Sequence, residues 1–150
     1  MQSTYIIKNK TICVILTNRT NYSKLKPILI ALKAMNTVNL KIIASSSSIL
    51  EKYGNTFNDL IKDGLEINYK VDCLLMNDTH EAMVNTSALS QIKHASIFSE
   101  CEPSLIIIVG DRYDALPAAI AAMMMNIPIA HIQGGEDTGT IDDKVRNIIS

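Results

Sequence analysis

The chain has 150 residues, 47% hydrophobic and 19% charged, which is enough apolar material for one globular domain and excludes a disordered chain. With 14 basic and 15 acidic residues the net charge is −1, so no long-range field draws the chain to nucleic acid or to a membrane surface. No apolar run reaches membrane-spanning length, Met1 to Lys10 lacks a signal peptide's apolar core, and Cys13, Cys73 and Cys101 are odd in number and widely spaced, which predicts reduced thiols in a cytoplasmic protein and no metal site.

Thr11 to Thr17 is short, continuous and apolar, as in a strand buried on both faces of a parallel sheet, and Cys13 within it reads as core. Asn18 to Ser23 is a polar turn. Leu25, Ile28, Leu29 and Leu32 then recur at helical spacing as far as Met35. Pro27 fits only a helix's first turn, so the helix is predicted to start near Ser23 or Lys24. A strand end meeting a helix N-terminus offers backbone N–H groups to an anion. The junction lacks Gly-x-Gly-x-x-Gly, so a dinucleotide site of the usual kind is not indicated.

Leu40 to Ala44 is a second strand, and Ser45 to Ser48 reads as a solvated loop. Tyr53 to Thr56 is a turn, Phe57 to Lys62 a short helix ended by Asp63-Gly64, and Leu65 to Leu75 a third, more exposed strand. Asp78 with Glu81 forms a capping-box pattern for a long helix to about Phe98, with an apolar stripe of Val84, Ala88, Ile92 and Ala95 helped by Met83 and Leu89. Neither His80 nor His94 on that helix is given a role.

A connection through Pro103 leads to Leu105–Val109, by composition the most buried strand. Asp114 can cap the next helix, Ala115 to Met125, with Pro117 in its first turn. Ile129 to Ile132 is the fifth strand, and Gln133 to Thr140 a glycine-bearing loop. Ile141 onward reads as a helix under way with no capping glycine, which predicts a chain continuing beyond Ser150. Strands alternating with helices give an α/β fold: a Rossmann-like parallel sheet with helices on both faces.

In such sheets ligands bind at the carboxyl ends of the strands. Those ends gather Arg19 and Ser23, then Ser46 to Ser48, then Asp111 and Arg112, then His131, Gln133 and Glu136, with Asp142 just beyond. Two arginines near a helix N-terminus suit a phosphate-bearing ligand, and carboxylates beside them suit acid–base chemistry. Each residue also has a plain structural reading. Asp111 could serve only its turn, Arg112 only Asp114, His131 only its strand end, and Asp142 only its helix dipole.

The run Gly110-Asp111-Arg112-Tyr113-Asp114-Ala115-Leu116, then His131-Ile132-Gln133-Gly134-Gly135-Glu136 and Thr138-Gly139-Thr140-Ile141-Asp142-Asp143, resembles the hydrolysing UDP-N-acetylglucosamine 2-epimerases. Asn18 to Pro27, Tyr53 to Thr56 and Asp63-Gly64 extend the likeness over nearly the whole chain. The resemblance implies the N-terminal half of a two-domain fold of the glycosyltransferase-B type, truncated here. The C-terminal UDP-binding domain lies outside these residues, and this stretch alone is expected to be inactive.

It further implies elimination of UDP from UDP-N-acetylglucosamine, addition of water, and release of N-acetylmannosamine for sialic-acid-type sugar synthesis, with no cofactor and no metal. Related readings are a UDP-diacetamido sugar as substrate, or a non-catalytic paralogue that binds a sugar nucleotide or a partner subunit. The implied partner is a UDP-sugar, with no nucleic acid and no membrane, in a homo-oligomeric full-length protein. Asp111 and Asp142 stand at two acid–base carboxylate positions, and Gln133 at a third, where glutamine cannot be a general base. Arg19, Ser23 and Arg112 stand at substrate-contact positions, to which His131 and Glu136 are added as binding residues. Where the family pattern has an acid in the first loop, a glycine and a histidine after the second strand and a histidine in the last helix, this chain has Asn21, Ser46, Ser48 and Asn147.

Overall fold

The computed structural model describes residues 9–49, 56–75, 77, 79–135 and 138–150. Five parallel strands form one sheet in the order β3-β2-β1-β4-β5: β1 is Lys10–Leu16, β2 Val38–Ser45, β3 Tyr69–Val71, β4 Leu105–Val109 and β5 Ile129–Ile132. The helices are α1 Arg19–Ala34, α2 Thr56–Lys62, α3 His80–Cys101, α4 Leu116–Met124 and α5 Ile141–Ile149.

The two-residue period of a strand sorts the core into two layers. Cys13, Ile15, Ile106 and Ile108 pack with Phe98 of α3, the alanines of α4, and Val145 and Ile149 of α5. Val14, Leu16, Ile107 and Val109 pack with Tyr22, Leu25 and Leu29 of α1 and Leu60 of α2. Both faces of β1 and β4 are therefore covered, as their unbroken apolar runs predict. Cys13 lies in the core, and Cys13, Cys73 and Cys101 are free thiols.

Five expectations are corrected. Helix α1 begins at Arg19, before Ser23, because the Asn18 side chain caps it by accepting from the Asn21 N–H at 2.9 Å. Pro27 then sits inside the helix. Pro27 and Ser23, the residue whose carbonyl loses its partner, are both exposed, so water can serve that carbonyl.

Ser45 to Ser48 is not a solvated loop. Ser45 ends β2 and a single 3-10 turn covers Ser46–Ile49. Ser48 is buried, its hydroxyl within reach of the Leu16 carbonyl at 2.8 Å and the Ser45 carbonyl at 2.6 Å. The third strand shrinks from Leu65–Leu75 to Tyr69–Val71, which among the described residues is an edge strand paired only to β2.

Helix α3 is capped by Thr79, whose side chain accepts from the Ala82 N–H; Asp78 lies outside the described residues. Its buried stripe is Ala82, Thr86, Ser90, His94 and Phe98, while Val84 and Ile92 are each 66% exposed and Leu89 is also exposed. Of the expected stripe, Ala95 borders the core. The polar stripe can face inward because most of its groups find partners, His94 Nε2 having none among the described residues. Thr86 accepts from the Leu75 N–H at 3.0 Å, and His94 Nδ1 lies 2.8 Å from the Ser90 carbonyl. Asp114 does not cap α4: the capping position is Ala115, with no side-chain bond. The turn expected over Tyr53 to Thr56 lies outside the described residues as far as position 55.

Candidate functional site

The site is built where β1 and β4 end side by side. Asn21, buried on the first turn of α1, donates from its carboxamide to Thr17 Oγ1 at 3.1 Å and to the Val109 carbonyl at 3.3 Å. It thus ties the end of β1 to the end of β4. A carboxylate at this position could not donate to that carbonyl. Gly110 follows with φ +87°, a left-handed turn that suits glycine, and it swings Asp111 and Arg112 off the strand.

Asp111 is held by Arg146 of α5, whose guanidinium also pairs with Asp143 at 2.6 Å. Arg146 is 1% exposed, and the Asp111 and Asp143 side chains are 25% and 18% exposed. A guanidinium keeps its charge at any depth, so one this deep needs carboxylate partners to offset the cost of its burial. Asp143 in turn accepts from the backbone N–H groups of Thr138, Gly139 and Thr140, at 3.0, 2.6 and 3.2 Å, and so closes the capping box of α5. The loop after β5, the start of α5 and the loop after β4 are therefore joined through one buried arginine.

Around this junction lies a cavity of about 310 Å³. Asn18, Thr20, Asn21 and Lys24 line it from the first junction, Val109 to Arg112 from the second, and Gln133, Thr138 and Arg146 from the third. The lining holds three cations, Lys24, Arg112 and Arg146, against one carboxylate, Asp111, a balance that suits a polyanion beside an acid–base group. A second cavity of about 280 Å³ adjoins it, lined by Asn18, Arg19, Thr20, Ser47, Leu74 and Arg112 to Asp114.

The structure thus brings Asp111, Arg112 and Gln133 into one cavity and Arg19 into the next beside Arg112. Gln133 has a left-handed backbone, φ 64°, and its side-chain oxygen accepts from Lys24 Nζ at 2.6 Å. Ser23 is elsewhere: its hydroxyl donates to the Thr20 carbonyl, and it lines a groove with Arg19, Tyr22, Lys26, Asp59, Lys62 and Asp63. Arg19 also pairs with Asp59 at 3.6 Å. His131 lines neither cavity; Nε2 donates to the Gly110 carbonyl at 2.7 Å and Nδ1 lies 2.7 Å from the Ser150 hydroxyl. Asp142 is half-buried in the first turn of α5, outside both linings. Glu136 lies outside the described residues. Among the described residues no three His, Cys, Asp or Glu side chains gather as a metal ion would need. No helix among them is long and apolar enough to cross a membrane.

Sequence reasoning missed Arg146, Lys24 and the inward role of Asn21. Arg146 carries a faint signal, since Asp143 precedes it by three residues on one helix face. Lys24 carries none, because its partner Gln133 lies 109 residues away.

Residues 30–150 match the family model described as UDP-N-acetylglucosamine 2-epimerase. The chain is 32% identical over 132 residues to the UDP-N,N'-diacetylbacillosamine 2-epimerase (hydrolyzing) of Legionella pneumophila, covering 88% of the chain and 35% of that protein. It is 29% identical over 145 residues to the GDP/UDP-N,N'-diacetylbacillosamine 2-epimerase (hydrolyzing) of Campylobacter jejuni, covering 96% and 38%. The fold superposes on the UDP-GlcNAc 2-epimerase of Neisseria meningitidis bound to UDP-GlcNAc with a TM-score of 0.78, at 16% identity, over 93% of this chain and 38% of that one. The chain spans little more than a third of the length of these proteins.

Proposed function

Because the chain belongs to the UDP-N-acetylglucosamine 2-epimerase family, we propose that it forms the N-terminal part of a hydrolysing epimerase acting on a UDP-2-acetamido sugar. The observation that carries this reading is the cavity between the ends of β1 and β4, where Asp111 stands among Lys24, Arg112 and Arg146. In the proposed reaction a base removes the proton at C2 of the sugar and the bond from C1 to the diphosphate oxygen breaks. UDP leaves with that electron pair and a C1–C2 double bond forms. Water then adds at C1 and a proton returns to C2 from the other face, so UDP-N-acetylglucosamine and water become UDP and N-acetylmannosamine.

The cations favour departure of the diphosphate by stabilising the charge that develops on it. Asp111, fixed by Arg146, is the proposed acid–base group, with Asp142 as the second. Gln133 is proposed to orient rather than to move protons, since an amide cannot be a base and its oxygen takes the Lys24 ammonium. The product fits the supply of sialic-acid-type sugars.

A second sugar is favoured by the Legionella and Campylobacter relatives, whose names specify a diacetamido substrate. Release of UDP by the full-length protein, measured with UDP-N-acetylglucosamine and with a UDP-2,4-diacetamido sugar, separates the two. Asp111→Asn is expected to lower that release at least about 100-fold, the usual scale for a lost acid–base group. Unchanged turnover would remove Asp111 from the mechanism. A full-length protein that binds UDP yet releases none from either sugar would be a binding paralogue.

A further inference from the structure

Among the described residues Asp114 is the one acid in the core, 2% exposed. A carboxylate there must be paired or give up its charge. It does not cap α4, the task its place in the sequence suggests. Its partners are the Thr17 hydroxyl, its own backbone N–H and Arg112, whose Nε lies 3.5 Å from Oδ2. Oδ1 has no hydrogen-bond partner among the described residues.

The Thr17 hydroxyl accepts from the Asn21 carboxamide at 3.1 Å, so its own proton can go to Asp114. Asn21 also holds the end of β4. The carboxylate therefore stands on the tie between the two strand ends, and Arg112, 53% exposed, stands on the carboxylate.

We propose that Asp114 is a positioning residue for Arg112: seated on Thr17, it takes the guanidinium's Nε and leaves the two terminal nitrogens aimed at the diphosphate of a bound nucleotide sugar. The proposal rests on the functional reading above for the ligand, but not for the pairing. Arg112 lines both cavities, so its direction decides which of them receives its charge. A guanidinium's donors form a rigid fork, and pairing at Nε leaves an edge that matches two phosphate oxygens. Ordering the long side chain before the ligand arrives lowers the cost of binding. Stability alone does not account for the pair, because a half-exposed partner contributes little and burying the acid costs.

Burial pushes the Asp114 carboxyl up to about 6, and among the described residues Arg112 is the one charged group acting on it and Thr17 the other side chain in contact. The pair is therefore intact at neutral pH and dissolves in mild acid.

The test has a ligand-free arm and a binding arm, both on the full-length protein. In the first, the Arg112 Nε–H NMR resonance is followed against pH. A step near pH 6 in the wild type that is missing in Asp114→Asn is expected; a resonance that does not titrate overturns the pairing. In the second, calorimetry measures UDP binding to wild type, Asp114→Asn, Arg112→Ala and the double variant. Asp114→Asn should weaken UDP about 10-fold on the wild-type background and change nothing further on Arg112→Ala. An equal loss on both backgrounds, or none on either, overturns the proposal while leaving the functional reading standing. Failure of the wild type to bind UDP overturns that reading and the diphosphate as target, and the resonance still decides whether Asp114 holds Arg112.

Discussion

Replacing Arg146 by methionine should unfold the domain at a markedly lower temperature, and the reason lies in what stays behind. Methionine keeps most of the aliphatic stem, so the packing beside Val145 and Ile149 is largely preserved. Asp111 and Asp143 lose their shared cation. Removing one partner of a buried ion pair costs about 3–5 kcal/mol. Both carboxylates keep a fraction of their surface in water, 25% and 18%, which places the loss near the low end, about 3 kcal/mol. For a chain of this size that is a fall of roughly 6–12 °C in Tm. Thermal unfolding followed by circular dichroism reads it. The decisive control is the same substitution in an Asp111→Asn, Asp143→Asn background. There Arg146 is itself the stranded charge, so the methionine should cost nothing and should raise the stability. An equal loss in both backgrounds would show that packing, not charge, makes Arg146 matter, and would undo the account of Asp111 as a carboxylate held by a buried cation.

Asn21→Asp should destabilise by about 1–3 kcal/mol in chemical denaturation at neutral pH, because a carboxylate cannot donate to the Val109 carbonyl; a neutral result would mean the two strand ends do not depend on that bond. The pH response turns on two buried groups of opposite sign. Burial lowers His94 to about 4, so the stability it contributes is complete above its unfolded value of 6.5 and about 3 kcal/mol is lost as pH falls from there to about 4. Burial raises Asp114 to about 6, so its contribution is complete below 3.8 and about 3 kcal/mol is lost as pH rises through 6. Between pH 6.5 and 4 the two nearly cancel. Relative to wild type, then, His94→Gln should gain Tm on acidification and Asp114→Asn should lose it; shifts in the same direction would refute the assignment of either group.

The parts of the fold legible in the sequence are those in which one strand's own residues decide its environment. Thr11 to Thr17 and Leu105 to Val109 are apolar on both faces, so they could only be central, and β1 and β4 are. The parts that were not legible involve a choice made by distant residues. Helix α3 carries two stripes at helical spacing, one apolar and one of Thr86, Ser90 and His94. Hydrophobicity picks the first, but hydrogen bonds to Leu75 and along the helix satisfy most of the second and let it face inward. The serines after β2 look solvated for the same reason: only the neighbouring end of β1 shows that Ser48 has a buried carbonyl to bind. In the candidate site, Asp111 and Arg112 stand out as a charged pair directly after a buried strand. Arg146 does not, because its role depends on an acid 35 residues away.

The sheet order explains why the candidate site can be placed at all. From β1 the chain moves outward to β2 and β3, then returns past β1 to β4 and β5. The connections leaving β1 and β4 therefore run to opposite faces, α1 on one and α4 on the other. A crevice must open between the two strand ends, since no helix crosses it. Into that crevice the sequence puts Asn21, which cannot carry a negative charge, and a glycine with a left-handed backbone, so the loops diverge while the strands stay tied. A crevice held in this way keeps its shape without a ligand. The charged residues on its rim fall into three separately held sets: Lys24 on Gln133, Asp111 and Arg146 on each other and on Asp143 of α5, and Arg112 on Asp114. Disturbing one set should therefore leave the other two in place, which is why the effects of Arg146 and Asp114 variants on binding should add when the two are combined.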